Sequence, residues 1–281
     1  MNTSTTAIED ISLLELDHPG ANDPAYRARR AVIAALAARF RATGEIPDVD
    51  YTAEEQGTWR TAVSRLQALH AGKASAAYLR AARTLAIGPD RIPQLSELNT
   101  RLAKNGGFRL APVEGLIDGK VFLSMLAQGT MLCTQYIRHA SRPEYTPEPD
   151  VVHELIGHAP TFTDPDFTAL TRLFGRAAAA AEDDALEAVQ RLYWFTVEFG
   201  LMREPDGVKA FGAGLLSSFG ELGHCFGPDV ERREFSAAGA AAAAFDYSAM
   251  QPLLFVCPPF APLRREVEAF LERLLPGTGW K

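Results

Sequence analysis

The chain has 281 residues, 47% hydrophobic and 22% charged, which is the mixture of an ordinary globular protein and excludes a fibre or a wholly disordered chain. Its formal net charge of -7 argues against nucleic acid as the main partner, because phosphate binding needs a concentrated basic face. Three widely spaced cysteines, no basic start followed by an apolar run, and no apolar stretch of membrane-spanning length lead to the expectation of a reduced, cytoplasmic enzyme outside any membrane.

Residues 1–22 are polar and weakly patterned, and are expected to form a flexible tail ahead of a single domain over 23–281. Asp23-Pro24 reads as an N-cap with proline at the first helical position. It opens a helix to Thr43, with Ile33, Leu36 and Phe40 on one face and Gly44 as the stop. Thr52-Ala-Glu-Glu55 is a capping-box pattern for a second helix to about Ala71. A third helix is predicted over 75–85, stopped at Gly88-Pro89, and a fourth over 94–103, stopped at Asn105-Gly106-Gly107. Residues 108–113 and 129–138 carry strand and turn character, with a short apolar helix over 121–127 between them. Helices resume near Asp150, Pro165 and Asp183, and again over 214–222 and 262–275; the alanine runs at 177–181 and 238–244 favour helix. The fold class predicted is mainly α with a few short β-strands.

Of six histidines, two fall in His153-Glu-Leu-Ile-Gly-His158. The zinc-peptidase pattern spaces its pair i,i+4, on one helical face. Here the spacing is i,i+5, which at about 100° per residue sets the two side chains roughly 140° apart on an ideal α-helix. They can share an ion only if the helix ends or distorts between them, and Gly157 with Ala159-Pro160 is the expected break. A third ligand is then needed. Glu198, alone among apolar and aromatic residues in Tyr193-Trp-Phe-Thr-Val-Glu-Phe-Gly200, is the best carboxylate candidate. Two histidines and one carboxylate with open positions is the pattern of non-haem iron(II) oxygenases. Spacing alone leaves zinc, or a purely structural histidine pair, open.

The segment Tyr145-Thr-Pro-Glu-Pro-Asp-Val-Val-His-Glu-Leu-Ile-Gly-His158 resembles the metal motif of the pterin-dependent aromatic amino acid hydroxylases, the family of phenylalanine, tyrosine and tryptophan hydroxylases. Asp17-His-Pro-Gly20, Ile92-Pro-Gln-Leu95, Gly107-Phe-Arg-Leu110, Cys133-Thr-Gln-Tyr-Ile-Arg-His139, Phe211-Gly-Ala-Gly-Leu-Leu-Ser-Ser-Phe-Gly-Glu221 and Gln251-Pro-Leu253 match it in the same order. The resemblance implies the catalytic-domain fold of that family. It also implies Fe(II), tetrahydrobiopterin or a related tetrahydropterin, and dioxygen as co-substrate, one oxygen atom going to the pterin and the other to the substrate ring.

By position, the resemblance makes His153, His158 and Glu198 the metal ligands, and Arg138 the partner of the substrate carboxylate. Thr146 and Ser217 fall near the substrate backbone, and Pro149, Trp194 and Phe199 around its ring. Phe122 matches the ring that stacks on the pterin, and Gly115 and Ile117 its backbone contacts. Glu154 lies near the pterin and the iron, and Tyr193 beside the metal. The match covers the catalytic domain alone, so a monomer or weak dimer is expected. Leu132, Ala159, Thr161, Met202 and Tyr247 depart from the animal enzymes. Trp194 argues against an indole substrate, and the non-acidic Tyr247 against tyrosine. The expected reaction is hydroxylation of L-phenylalanine at C4 to L-tyrosine. The alternatives are C3 attack giving meta-tyrosine, tyrosine or tryptophan as substrate, a zinc hydrolase, and a catalytically silent metal-binding protein.

Overall fold

Three of the predicted helix starts use the capping chemistry their residues carry. A computed structural model describes residues 18–105 and 107–278, so residues 1–17 of the expected tail, Gly106 and residues 279–281 lie outside the described residues. Pro19–Asn22 form a 3-10 turn in which the Gly20 N–H donates to His18 Nδ1 at 3.0 Å, with both residues buried.

Helix α1 (Pro24–Thr43) starts on Asp23, whose Oδ1 accepts the Ala25 and Tyr26 N–H groups, and closes on Gly44 at φ 74°. Helix α2 (Ala53–Lys73) has both halves of the Thr52/Glu55 capping box. Helix α3 (Ala76–Leu85) starts on Ser75 and ends on Ala86 at φ 54°, ahead of the expected stop at Gly88-Pro89. Helix α4 (Leu95–Leu102) follows.

Strand β1 (Arg109–Pro112), helix α5 (Gly119–Ala127) and strand β2 (Thr130–Cys133) form a crossover, with β1 and β2 parallel. Strand character was expected to run to residue 138 but stops at Cys133. The backbone N–H groups beyond it serve carboxylates instead of a ladder: Thr134 donates to Glu154 and Arg138 to Asp150.

Helices α6 (Pro165–Ala180) and α7 (Asp183–Tyr193) begin at the predicted places. After them come β3 (Leu201–Glu204), β4 (Gly207–Ala210), α8 (Ala213–Ser217), α9 (Phe219–His224), β5 (Glu231–Glu234), α10 (Ala237–Ala242), β6 (Leu253–Cys257) and α11 (Phe260–Leu274). The single helix expected over 214–222 is two. Ser218 breaks it at φ -127°, ψ 111°, and its Oγ then caps α9 by accepting the Glu221 N–H. A second sheet, in the order β4-β3-β6-β5, has no counterpart in the sequence reading.

Between β2 and α6 the chain makes neither a plain helix nor the expected break. A helical turn at 151–152 widens into a π turn, His153–His158, followed by a 3-10 turn, Ala159–Thr163. A second π turn, Trp194–Glu198, extends α7 and leads into β3. One continuous hydrophobic core, which includes Trp59, Leu66, Phe174, Phe195 and Val267, packs around both π turns. Cys133, Cys225 and Cys257 are free thiols buried in it; burial pushes Cys225 up to about 12 and the other two well above the ordinary thiol value.

Candidate active site and metal centre

The i,i+5 spacing of the histidines is resolved by the hydrogen-bond register rather than by a break. A π turn bonds i to i+5, so residues five apart stack on the same side. Gly157 sits inside the turn instead of ending it, and its role is space. A Cβ there would lie 2.7 Å from the Ala213 carbonyl oxygen. Gly212 does the same for the second π turn, where a Cβ would lie 2.4 Å from the Glu198 carbonyl oxygen. These two glycines let the start of α8 press against both π turns at once.

The two turns bring three donors together. His153 Nε2 and His158 Nε2 lie 3.0 Å apart, His158 Nε2 and Glu198 Oε1 3.1 Å, and His153 Nε2 and Glu198 Oε2 3.5 Å. Among the described residues this is the group of three such side chains able to hold a metal ion. Burial alone would raise the Glu198 carboxyl, but the imidazoles, His158 foremost, outweigh it and hold it at about 2. Burial lowers His153 to about 4, so it is neutral. For His158, burial is outweighed by Glu198, which raises it. An ionised carboxylate and a neutral imidazole are the states a divalent cation needs, and the positive charge that Glu198 draws onto His158 is the one an ion would replace. Nitrogen donors with one carboxylate suit iron(II). The residues therefore fit the metal.

A layer of polar contacts holds the donors. His153 Nδ1 lies 3.0 Å from Ser217 Oγ at the end of α8, the outer hydrogen bond that fixes a ligand imidazole. Behind Ser217, the carbonyl of Leu216 lies 2.8 Å from Nε2 of buried His70 on α2. Asp150 joins the metal side to Arg138: its Oδ1 accepts the His153 N–H and an Arg138 Nη2–H, and its Oδ2 accepts the Arg138 Nε–H and backbone N–H. Both side chains are 1% exposed. Burial would raise Asp150, but the guanidinium outweighs it and keeps the carboxylate ionised.

Glu154 accepts the Thr134 N–H and hydroxyl on one oxygen, while burial pushes its carboxyl up to about 8. The Thr134 hydroxyl also lies within hydrogen-bond reach of the Pro149 carbonyl. Tyr193 is buried beside Glu198, and burial, then the Glu198 charge, raises its phenol well above the ordinary value. Phe122 meets Tyr193 edge-on at 6.3 Å; Gly115 is buried and Ile117 half-buried on the turn leading to α5. Trp194 packs on Phe199 at 4.5 Å and on Phe245 at 4.3 Å, and its indole N–H donates to Gln251 Oε1 at 3.1 Å. Thr146 is half-buried on the segment between Arg138 and Asp150.

The sequence reading missed Asp150, Thr134, Gln251 and Phe245. Asp150 and Gln251 stand in segments that carried the resemblance, yet only long-range partners reveal what they do. Tyr247, expected to matter for specificity, is 60% exposed.

The family model for biopterin-dependent aromatic amino acid hydroxylases matches residues 2–276. The chain belongs to this family. It is 42% identical to human tyrosine 3-monooxygenase over 265 residues, 93% of this chain and 50% of the relative. It is equally 42% identical to rat phenylalanine-4-hydroxylase over 263 residues, 92% of this chain and 58% of the relative. The chain thus spans about half to three-fifths of the length of the curated relatives it matches. Among solved structures, Chromobacterium violaceum phenylalanine hydroxylase with iron(III) and 7,8-dihydrobiopterin aligns at TM-score 0.75 and 33% identity, over 80% of this chain and 83% of that one. Phenylalanine hydroxylase from Legionella pneumophila aligns at 0.75 and 32%, over 82% and 94%. The chain is mostly helical with a few short strands, as the sequence reading expected, and aligns with catalytic-domain structures of this family. No helix among the described residues is long and apolar enough to cross a membrane.

Proposed function

We infer that this chain is an iron(II)- and tetrahydropterin-dependent monooxygenase that hydroxylates L-phenylalanine at C4 to give L-tyrosine, with dioxygen as co-substrate. The observation that carries the reading is that one five-residue π turn begins with the ring-stacking Trp194 and ends with the metal donor Glu198. An aromatic side chain lying along Trp194 and Phe199 is thereby held beside the metal, and positioning of that kind is the protein's main contribution to a reaction of this type.

Iron and reduced pterin together supply the activation of dioxygen. His153, His158 and Glu198 hold the metal, and Ser217 and Asp150 orient His153. Arg138, rigid against Asp150, offers its remaining N–H groups to the substrate carboxylate. Phe122, Gly115 and Ile117 receive the pterin, and Glu154 and Tyr193 act between pterin and metal. Pro149, Thr146 and Ser217 complete the substrate side. Phenylalanine is favoured over tyrosine because the polar groups of the ring wall already have partners: the Trp194 indole N–H donates to Gln251 Oε1, and the Gln251 amide N–H groups donate to the Asp246 and Ala249 carbonyls. A site that does not hydrogen-bond a phenol gains nothing from one. C4 is favoured by the similarity to phenylalanine-4-hydroxylase, and phenylalanine as substrate by the similarity to the two phenylalanine hydroxylase structures. The catalytic unit comprises residues 23–281 and works in a reducing cytoplasm, a setting supported by the three free buried thiols.

The test supplies iron(II), tetrahydrobiopterin, oxygen and each aromatic amino acid in turn, then separates the hydroxylated isomers. Tyrosine from phenylalanine is expected. Meta-tyrosine would move the assignment to C3, and no ring-hydroxylated product from any of the three would sink the reading.

A further inference from the structure

A buried carboxylate on α9 has an unused oxygen. Glu221 is 2% exposed. Its Oε1 accepts the Gln251 N–H at 3.1 Å, and its Oε2 is buried with no hydrogen-bond partner. Among the described residues no lysine, arginine or histidine forms an ion pair with it. Burial pushes its carboxyl up to about 7, only partly offset by the Gln251 bond. Unsatisfied buried acceptors are uncommon, and each calls for a reason.

Its surroundings supply one. The Glu221 N–H donates to Ser218 Oγ, and that hydroxyl donates in turn to the Glu144 carbonyl, which also accepts the Gly220 N–H. The first turn of α9 is thus tied two residues before Thr146. One turn back, Ser217 holds His153. On the other side, Gln251, whose backbone N–H Glu221 receives, holds the Trp194 indole. Glu221 therefore stands where the segments carrying Thr146, Ser217 and Trp194 converge.

A free amino acid arrives as a zwitterion. Its carboxylate has Arg138, but that guanidinium is already paired with Asp150 and offers nothing to an ammonium group. A buried ammonium without an acceptor is strongly disfavoured. Asp150 and Glu198 are committed to Arg138 and the imidazoles. Glu154, on the π turn between the two histidines, also has a free oxygen, but its other oxygen is held by Thr134, and His158 is the charge that acts on it most. Resting on the amino acid reading above, we propose that the Glu221 carboxylate receives the ammonium group of the substrate. The site then selects α-amino acids over aromatic acids that lack the amine.

The test is calorimetric binding to the iron(II)-loaded full chain without oxygen, with phenylalanine, 3-phenylpropanoate (no amine) and 2-hydroxy-3-phenylpropanoate (a neutral hydroxyl in its place). The wild type should bind phenylalanine roughly tenfold or more tightly than either analogue, as expected of a charge-assisted contact. Glu221→Gln, which is isosteric and retains an acceptor for the Gln251 N–H, should lose that margin for phenylalanine while 3-phenylpropanoate binds within about twofold of before. Equal binding of the hydroxy acid and phenylalanine by the wild type would overturn the proposal, and this measurement decides even if the variant fails to fold. So would a folded variant with unchanged phenylalanine affinity, or one weakened equally for all three ligands. Binding of no aromatic amino acid by the wild type would overturn the proposed function, and this assignment with it; loss of selectivity in the variant alone leaves that function standing.

Discussion

The amino-terminal helices and the two π turns differ in what holds them. Helices α1 to α3 are started by local chemistry, Asp23, Thr52 and Ser75 each accepting a backbone N–H within three residues. The second π turn receives no side-chain cap at its start, and the first has only Asp150 Oδ1 on the His153 N–H. They are held from outside, by α8 pressed against Gly157, by the Tyr78 hydroxyl donating to the Ile156 carbonyl, and by His70 against the carbonyl before Ser217. A widened helix is the less favourable backbone, so its persistence over two ligand-bearing segments means that tertiary packing stabilises it. Local code builds the scaffold, and the scaffold then imposes the site.

That contrast can be broken most severely at the metal. Glu198→Ala should abolish iron retention, read by metal analysis of the purified protein, and hydroxylation with it, while circular dichroism shows the helices intact. Collapse of the fold instead would mean the donors are themselves structural. Gly157→Ala comes next. Its methyl meets the Ala213 carbonyl, so a loss of about 1–3 kcal/mol in denaturant unfolding is expected, together with lower activity per folded molecule. An unchanged midpoint would show that α8 is not what shapes the turn.

His70→Phe leaves the Leu216 carbonyl without a partner and should cost about 1–3 kcal/mol at neutral pH. Burial holds His70 at about 4 in the folded chain, against an ordinary 6.5. Between those values the unfolded chain takes up the proton first, so His70 contributes its stability fully above 6.5 and loses it as pH falls toward 4. The gap between wild type and variant should therefore narrow steadily as pH is lowered from 7 to 4. A constant gap would refute a buried neutral imidazole. The smallest effect belongs to the scaffold. Thr52→Ala removes one half of a capping box and should lower stability by about 1 kcal/mol with turnover per folded molecule unchanged.

The same division explains what could be read in advance. Caps and stops at Asp23, Gly44 and Thr52 are local, and each is in its expected place. The strands β3 to β6 were invisible because they are four or five residues long, and β5, Glu-Arg-Arg-Glu, is exposed throughout with no alternation to detect. The metal pair was legible through its anomalous spacing, but the π register was not, because packing by Gly212 and Ala213 decides it. Arg138, Trp194 and Phe122 came only through the resemblance. Asp150, Gln251 and Glu221 are polar residues whose partners lie up to 57 positions away in sequence, and single residues do not announce such partners.

The three cysteines carry a practical consequence. Cys133 ends β2, Cys225 follows α9, and Cys257 ends β6, so each reports on a different part of the molecule. Buried and protonated, they are nearly inert to alkylating agents until the surrounding structure opens. Timed labelling of each thiol, resolved by mass spectrometry, would therefore serve as three internal clocks for local opening. The clock at Cys225 runs one turn from Glu221, so adding phenylalanine should slow it more than the other two.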